Sequence, residues 1–200
     1  LFAGDPGAAG LVEAVANGQK VWRLGTLNLS GVSGAWIGDL TAAHVTLSDD
    51  SGVWLEAQDA RLTWRPAALL TGRLIIREAH IEDALVLRRP VLSAPPEGRG
   101  LDLSLSAPDI RVDTLRLAEP VAGVDATLQI AGAVETRNGS LSSLRFEAVR
   151  ADAGTDRALL LFEPGTDRPW TVAVEGQPGG VAAGLLGAED GTEATGGTSG

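Results

Sequence analysis

Apolar and polar residues alternate with a period of two between Trp36 and Pro90. This period is typical of β-strands that have one apolar face and one polar face. Turn signals separate the runs, among them Asp49-Asp50-Ser51-Gly52 and Arg65-Pro66, where a strand ends because proline lacks a ladder donor. The stretch therefore predicts an antiparallel meander. The apolar positions that the alternation assigns to one face are Val45, Leu47, Val53, Leu55, Ala60, Leu62, Trp64, Leu74, Ile76, Leu85 and Leu87.

Helical signals are short and few. Segment 66–72 has proline at a first helical position, helix-forming residues after it and glycine at its end. It therefore predicts a single helical turn between two strands. Near the amino-terminal end Asp5-Pro6 begins a second such signal, which predicts a short helical cap over residues 1–18.

The remaining chain continues the alternation after one interruption. A first meander at 19–90 is followed by the Pro-rich segment 91–108, which predicts a crossing loop. We predict a second meander at 109–187 that ends in a short helix, and a flexible Gly-rich tail at 188–200. Asn138-Gly139 is a hairpin signal within the second meander. Outside the central stretch, strands are expected at 19–30, 110–117, 124–133, 141–150, 158–162 and 170–175.

Charge and composition exclude several kinds of partner. The formal net charge is −10, and Lys20 is the single lysine beside 15 arginines. This balance argues against a nucleic-acid partner, because phosphate binding needs a basic face, and against adsorption to an anionic membrane through a polybasic patch. The sequence contains no Cys, so it forms no disulfide and offers no thiolate ligand. It contains no run of 18 apolar residues that would predict a membrane-spanning helix.

Candidate catalytic and metal-binding residues are isolated from one another. His44 and His80 are the only imidazoles, and neither has a neighbour at metal-ligand spacing. Asp49-Asp50 lacks the remaining ligands of a calcium loop. Glu78 and Glu82 share a strand face that Asp83 does not share. No phosphate-binding or nucleophile-elbow motif occurs, and we predict no enzymatic activity, no cofactor and no metal site.

Several short motifs follow one another in order. The first half contains DDSGVWL at 49–55, LTWRP at 62–66, AALLTGRL at 67–74 and ALVLRRP at 84–90. The second half contains AEPVAGVDATLQIAG at 118–132, an Arg and an Asp within 150–153, and PGGVAAGLL at 178–186. Together these motifs resemble the amino-terminal region of the TamB family, the translocation and assembly module proteins of the diderm bacterial envelope. That family belongs to the AsmA-like group.

The resemblance implies a location and a role. It implies a periplasm-spanning protein held in the inner membrane by an anchor that is not in this chain, with many further strands after it. Its apolar β-groove would carry phospholipid acyl chains toward the outer membrane, supporting outer-membrane biogenesis and protein translocation and assembly. An outer-membrane barrel partner would bind through the missing far end.

The apolar face allows two architectures on sequence alone. A sheet that is apolar on one side buries that side against helices, a second sheet or itself, and this chain has few amphipathic helical windows. A filled sandwich or barrel and an open trough both remain, because alternation reports burial and not an occupant. The resemblance favours the trough. We therefore expect an all-β fold, an elongated and mostly antiparallel sheet curled into a groove (β-taco) with short capping or crossing helices.

The residues expected to line this groove come from both meanders. Trp54 and Trp64 flank one predicted hairpin arm, where core packing is favoured over a place at the rim. The alternative to a lipid groove is a structural β module that binds envelope proteins by pairing along a sheet edge. The groove candidates are Val45, Leu47, Leu62, Trp64, Leu74, Ile76, Leu85, Leu87, Leu115, Leu117, Leu128, Ile130, Phe146, Val172 and Val174.

Overall fold

A computed structural model describes residues 17–20, 23–35, 38–93, 104–152, 154–165, 169–176 and 181. These residues form ten strands, one 3₁₀ turn, Pro66–Thr71, and one short helix, α1 (Glu119–Ala122). The 3₁₀ turn is called the tip turn below. The strands are β1 (Gln19–Lys20), β2 (Thr26–Ala35), β3 (Asp39–Asp49), β4 (Gly52–Arg65), β5 (Arg73–Val86), β6 (Ser104–Leu117), β7 (Ala126–Arg137), β8 (Ser140–Arg150), β9 (Arg157–Phe162) and β10 (Trp170–Glu175).

All ten strands belong to one sheet, in which they lie side by side in sequence order. Every neighbouring pair is antiparallel except β5 and β6, which are parallel. β1 and β10 are the two edges and do not pair with each other, so the sheet is open and is not closed into a barrel. The expected all-β, mostly antiparallel curled sheet is confirmed.

The parallel pair explains the Pro-rich connection. Antiparallel neighbours need only a tight turn, whereas parallel neighbours need a connection that returns along the strand length. The connection between β5 and β6 occupies residues 87–103. β6 begins at Ser104, six residues before the predicted start, and therefore takes in part of the predicted loop 91–108. Pro108 fits within this strand because a register shift against β7 lies between Ala107 and Ile110.

Two other boundaries depend on glycine. The predicted strand 19–30 is wrong as a single element, because a turn separates β1 from β2. Gly25 there has a φ of 111°, and a Cβ on it would overlap the Ser48 carbonyl. The hairpin at Asn138-Gly139 is confirmed, and both residues have positive φ, which suits a right-twisted two-residue loop.

The helical predictions have mixed outcomes. The predicted helical turn at 66–72 is confirmed as the tip turn, with Gly72 in the left-handed region at its end. The helix α1 was not predicted. The predicted amino-terminal cap at 1–18, apart from a turn at its last two residues, and the tail at 188–200 lie outside the described residues. Of the helix predicted to end the second meander, only Val181 is described.

A line of bends crosses five adjacent strands. In each strand two consecutive residues separate two apolar-face residues, so the apolar positions are three residues apart and not two. Gly31 in β2 and Asp59 in β4 lie in these steps with φ values of 65° and 52°. Such irregularities bend and coil a strand. The steps are Leu29 to Val32, Ala42 to Val45, Ala57 to Ala60, Ile81 to Ala84 and Val112 to Leu115.

Candidate functional site

Cross-strand pairing places one uninterrupted apolar row across nine strands. Residues directly opposed on neighbouring strands share a face of the sheet, so a chain of such pairs defines a row. The row through Ile130 reaches from β2 to β10 and contains no polar residue, and we call it the Ile130 ladder. Its members are Val32, Ala42, Ala60, Ile81, Val112, Ile130, Ala148, Ala158 and Val174.

A second row of the same length runs beside it. Gly132 follows Ile130 by two residues in β7, so this row lies on the same face. We call it the Phe146 ladder. Its members are Gly34, Leu40, Leu62, Ala79, Ile110, Gly132, Phe146, Leu160 and Val172.

Shorter rows widen this face on both sides. Along β7 the residues Ala126, Leu128, Ile130, Gly132 and Val134 alternate without interruption, so the rows that pass through them lie on one face. We call this whole surface the apolar face. The rows added to it are Leu27-Leu47-Leu55-Val86-Leu117-Ala126, Leu29-Val45-Ala57-Ala84-Leu115-Leu128, Ala107-Val134-Leu144-Phe162-Trp170, and the pairs Trp64-Ile76 and Leu74-Leu105.

The other face of the sheet is polar. One of its rows contains Thr41, Arg61, His80 and Arg111, and His80 is 2.7 Å from the Asp113 carboxylate. Another brings Arg116 into an exposed ion pair with Asp83. The sheet therefore has one apolar face and one polar face.

No second layer covers most of the apolar face in the described part of the chain. The substantial contacts between elements join neighbouring strands of the sheet, or the tip turn and β5. No large side chain there is fully buried, and the leucine, isoleucine and phenylalanine members of the two long ladders are partly exposed. The curling of the sheet therefore shields the apolar face from solvent only in part.

One margin of this face is covered. At the strand ends next to α1, Val121 and Ala122 pack with Leu117, Leu128 and Val181, and all five are buried. We call this side the α1 margin. The opposite side, at the tip turn, is the tip margin, where Trp64, Leu74 and Ile76 remain partly exposed.

An ion pair fastens the α1 margin. Arg88 donates to both carboxylate oxygens of Asp49, at 2.9 and 2.6 Å, and to the Gly52 carbonyl at 2.7 Å. The backbone N–H of Val91 donates to the same carboxylate at 2.7 Å. These hydrogen bonds, with the Arg88 contribution largest, hold the pKa of Asp49 well below its usual range although burial opposes them. We call this contact the Asp49–Arg88 clasp, and it ties the β3–β4 turn to the chain after β5.

Among the described residues, the rows of the apolar face meet a charged side chain at Arg150. The Leu128 row ends in β8 at Arg150, which pairs with Asp152 and with the buried Asp156. Hydrogen bonds lower the pKa of Asp152, the largest contribution coming from Arg150 and the next from the Thr127 N–H. Hydrogen bonds to Asp152 and Asp156 in turn raise the pKa of Arg150. The guanidinium is thus neutralised where the row stops.

The structure places all but two of the predicted groove residues on the apolar face. The exceptions are Leu85, which pairs with Glu56 and Arg116 on the polar face, and Leu87, whose N–H donates to the backbone carbonyl of Trp54 opposite it. Their assignment was wrong because β5 contains two three-residue steps, from Ile76 to Ala79 and from Ile81 to Ala84. The second step puts Ala84 and Val86, and not Leu85 and Leu87, on the apolar face. The residues placed on the apolar face are Val45, Leu47, Leu62, Trp64, Leu74, Ile76, Leu115, Leu117, Leu128, Ile130, Phe146, Val172 and Val174.

Most small residues on this face were not predicted to lie there, Ala60 being an exception. They have no strong apolar signal individually, and only their pairing partners reveal the row to which they belong. Trp54, by contrast, is buried on the polar side, where its indole N–H donates to the Leu24 carbonyl at 2.8 Å. The small residues of the face are Gly34, Ala42, Ala57, Ala60, Ala79, Ala84, Ala107, Ala126, Gly132, Ala148 and Ala158.

The described segments contain no group of three His, Asp or Glu side chains arranged to hold a metal ion. Within the same segments no helix is long and apolar enough to span a bilayer. Comparison of the chain with family models, curated proteins and solved structures found no match.

Proposed function

We propose that the apolar face binds phospholipid acyl chains. The observation that supports this function best is the pair of nine-strand ladders, which contain only apolar residues and glycine. At about 4.8 Å per interstrand spacing, nine strands extend over about 38 Å. A bilayer core of about 30 Å holds two acyl chains end to end, so one ladder exceeds the length of one chain.

The chemistry of the face suits a mobile aliphatic ligand. Each methylene removed from water contributes about 0.8 kcal/mol without any directional contact. A row of Val, Leu, Ile and Ala therefore holds an acyl chain equally well at many positions along the ladder. Such a surface binds an acyl chain and lets it slide.

The TamB resemblance extends this proposal to the whole protein. On that reading the chain is one segment of an inner-membrane-anchored, periplasm-spanning conduit that carries phospholipid toward the outer membrane. An outer-membrane barrel would be its partner at the far end, and the role is not enzymatic. The resemblance is the basis for the periplasmic location and for the direction of transport. The ladders are the physical basis for binding acyl chains.

The test is native mass spectrometry of the purified chain, with extraction and identification of bound lipid. Leu160 and Leu161 make a matched pair, because Leu160 belongs to the Phe146 ladder whereas Leu161 pairs with Arg145 and Thr171 on the polar face. We expect phospholipid in the wild type and in Leu161→Glu, and its loss in Leu160→Glu. A folded wild-type chain without lipid, or equal occupancy in both variants, would exclude this function.

A second candidate function is sheet-edge pairing with another protein. It is favoured by one observation: in the edge strand β10, Trp170 is 52% exposed and Val172 is 63% exposed. A strand edge with such side chains and without lysine or internal proline can accept a further strand. A lipid-free chain that binds other chains through β10 would support this candidate.

A further inference from the structure

The hairpin that ends in the tip turn differs in charge from the rest of the chain. Residues 60–77 contain four arginines and no acidic residue, although the whole chain has a net charge of −10. All four arginines are exposed, and none forms an ion pair with another described residue. They are Arg61, Arg65, Arg73 and Arg77. This hairpin is thus locally cationic although the whole chain is acidic.

Two leucines project from the end of this hairpin. Leu70 is 90% exposed and Leu69 is 43% exposed, and the tip turn contains no buried residue. The turn is fixed at both ends, by Pro66 at its start and by Gly72, whose N–H bonds to the Ala68 and Leu69 carbonyls. The leucines are therefore presented by a defined backbone.

Acidic side chains lie farther back on the same side. Asp39 and Glu78 flank Thr63 in the neighbouring strands, and Glu135 lines a depression together with Arg73 and Arg137. Arg65 and Arg73 lie closer to the leucines than Asp39 and Glu78 do. Glu135 lies one row behind Arg73 and level with Arg65, three strands away in β7. The outermost part of the hairpin is thus both apolar and positively charged.

From these observations we infer that the tip turn docks on the surface of an anionic phospholipid bilayer. Arginines attract the anionic headgroups, and each cation near such a surface strengthens binding about fivefold. The leucines then enter the boundary between headgroups and acyl chains, as the apolar residues of interfacial segments do. The acidic remainder of the chain is repelled, which orients the tip margin toward the bilayer.

This inference rests on the proposed function, because docking on a bilayer has a role here only if the apolar face binds acyl chains. Among the described residues, the α1 margin of the apolar face is covered, whereas Trp64, Leu74 and Ile76 at the tip margin stay partly exposed. A bilayer held at the tip turn would therefore lie against the side from which acyl chains can reach the ladders. Acyl chains would therefore enter the apolar face at the tip margin.

The test is co-sedimentation of the chain with vesicles of phosphatidylcholine alone and of phosphatidylcholine mixed with phosphatidylglycerol. We expect the wild type to prefer the anionic vesicles, with an affinity that falls as salt is added. Leu69→Ser/Leu70→Ser should weaken binding at least about tenfold. Its matched control is Val91→Ser/Leu92→Ser, since these residues are 58% and 47% exposed at the α1 margin.

A second pair of variants tests the charge. Arg65→Gln/Arg73→Gln should lose affinity for anionic vesicles only, and the difference from the wild type should disappear at high salt. Arg111→Gln/Arg157→Gln removes the same charge from exposed sites away from the tip and should keep the affinity. Circular dichroism establishes that each variant is folded. Absence of vesicle binding, or equal losses in tip and control variants, would overturn the inference.

The two proposals fail in different ways. Leu160→Glu should lose its lipid cargo yet still bind anionic vesicles. A wild-type chain that carries phospholipid but binds no vesicles would refute the docking surface alone. A chain that binds vesicles through the tip but never holds lipid would refute the lipid-binding function and leave the docking surface in place.

Discussion

The Phe146 ring lies over Gly132, its cross-strand partner in the Phe146 ladder, and a Cβ added to Gly132 would overlap the ring. Gly132 does not have a positive φ, so the backbone conformation does not require glycine at this position. Glycine is needed because the Phe146 ring occupies the space that a Cβ would fill. The ring covers backbone that glycine leaves bare, as aromatic residues do for glycine in other sheets. The pair thereby keeps the apolar face continuous between β7 and β8.

Gly132→Ala should therefore destabilise the sheet by about 1–3 kcal/mol, because the new methyl group displaces Phe146 from its site. Adding Phe146→Ala should cost less in this background than in the wild type. Gly38→Ala is the matched control, since a Cβ there meets nothing closer than the Trp64 carbonyl at 3.8 Å. Urea denaturation measures the wild type, the three single variants and the double variant. Equal stability of Gly132→Ala and Gly38→Ala would contradict the packing argument.

The Asp49–Arg88 clasp makes stability depend on pH in the acid range. The folded-state pKa of Asp49 lies below its ordinary value of 3.8. The stability that the clasp supplies is therefore complete above that value and is lost as the pH falls toward the folded-state pKa. In Arg88→Gln, the free energy of unfolding should decline less steeply below about pH 4 than in the wild type.

Arg116→Gln is the control for the clasp, because the Arg116–Asp83 pair is half exposed and such pairs contribute about 0–1 kcal/mol. Its pH profile should follow that of the wild type. If Arg88→Gln and the wild type also lost stability in parallel below about pH 4, the clasp would not be the source of the pH dependence.

Trp54 should tolerate phenylalanine less well than an exposed tryptophan does. Trp54→Phe keeps most of the buried ring but removes the indole N–H that bonds to the Leu24 carbonyl. A loss of about 1 kcal/mol is expected from that hydrogen bond and from the cavity left behind. Trp170→Phe, at a site that is 52% exposed, should change stability by less than about 0.5 kcal/mol. The reverse order of the two effects in chemical denaturation would refute this assignment.

The edge strand offers a test of the second candidate function. If β10 accepts further strands, the chain should self-associate at high concentration, and Val172→Lys should reduce that association because a lysine on an edge opposes pairing. Leu70→Lys adds the same charge at an exposed site away from the edge and should leave it unchanged. Analytical ultracentrifugation compares the three. A monomeric wild type at all concentrations would argue against self-pairing through β10.

Alternation predicted the fold because period two is a local property. Leu62 and Trp64, or Leu128 and Ile130, are assigned to one face by counting along a single strand. The hairpin at Asn138-Gly139 was predictable for the same reason, since its turn residues are contiguous. Except at β5 and β6, which a long connection joins, the strand order then follows from short connections.

Counting fails wherever a strand bends. Ala84 and Val86 line the apolar face, and not Leu85, because Glu82 and Asp83 both separate Ala84 from Ile81. Nothing within β5 marks that step. It becomes visible only from the pairing of Ile81 with Ala60 and of Ala84 with Ala57. The break at Gly25 likewise depends on a distant strand, since Gly25 lies against the Ser48 carbonyl. The helix α1, by contrast, has the same local signals as the tip turn, with Pro120 at its start and Gly123 at its end.

The single parallel pair also has a consequence for how the chain folds. Every antiparallel pair joins strands adjacent in sequence, so β1–β5 and β6–β10 can each assemble through short loop closures. Only β5 and β6 must meet across a long connection, and both are 14 residues long. The slowest contact to form is thus made between two of the longest strands. Two ribbons that form independently and then join along one seam would give this protein a folding intermediate whose exposed edges are β5 and β6.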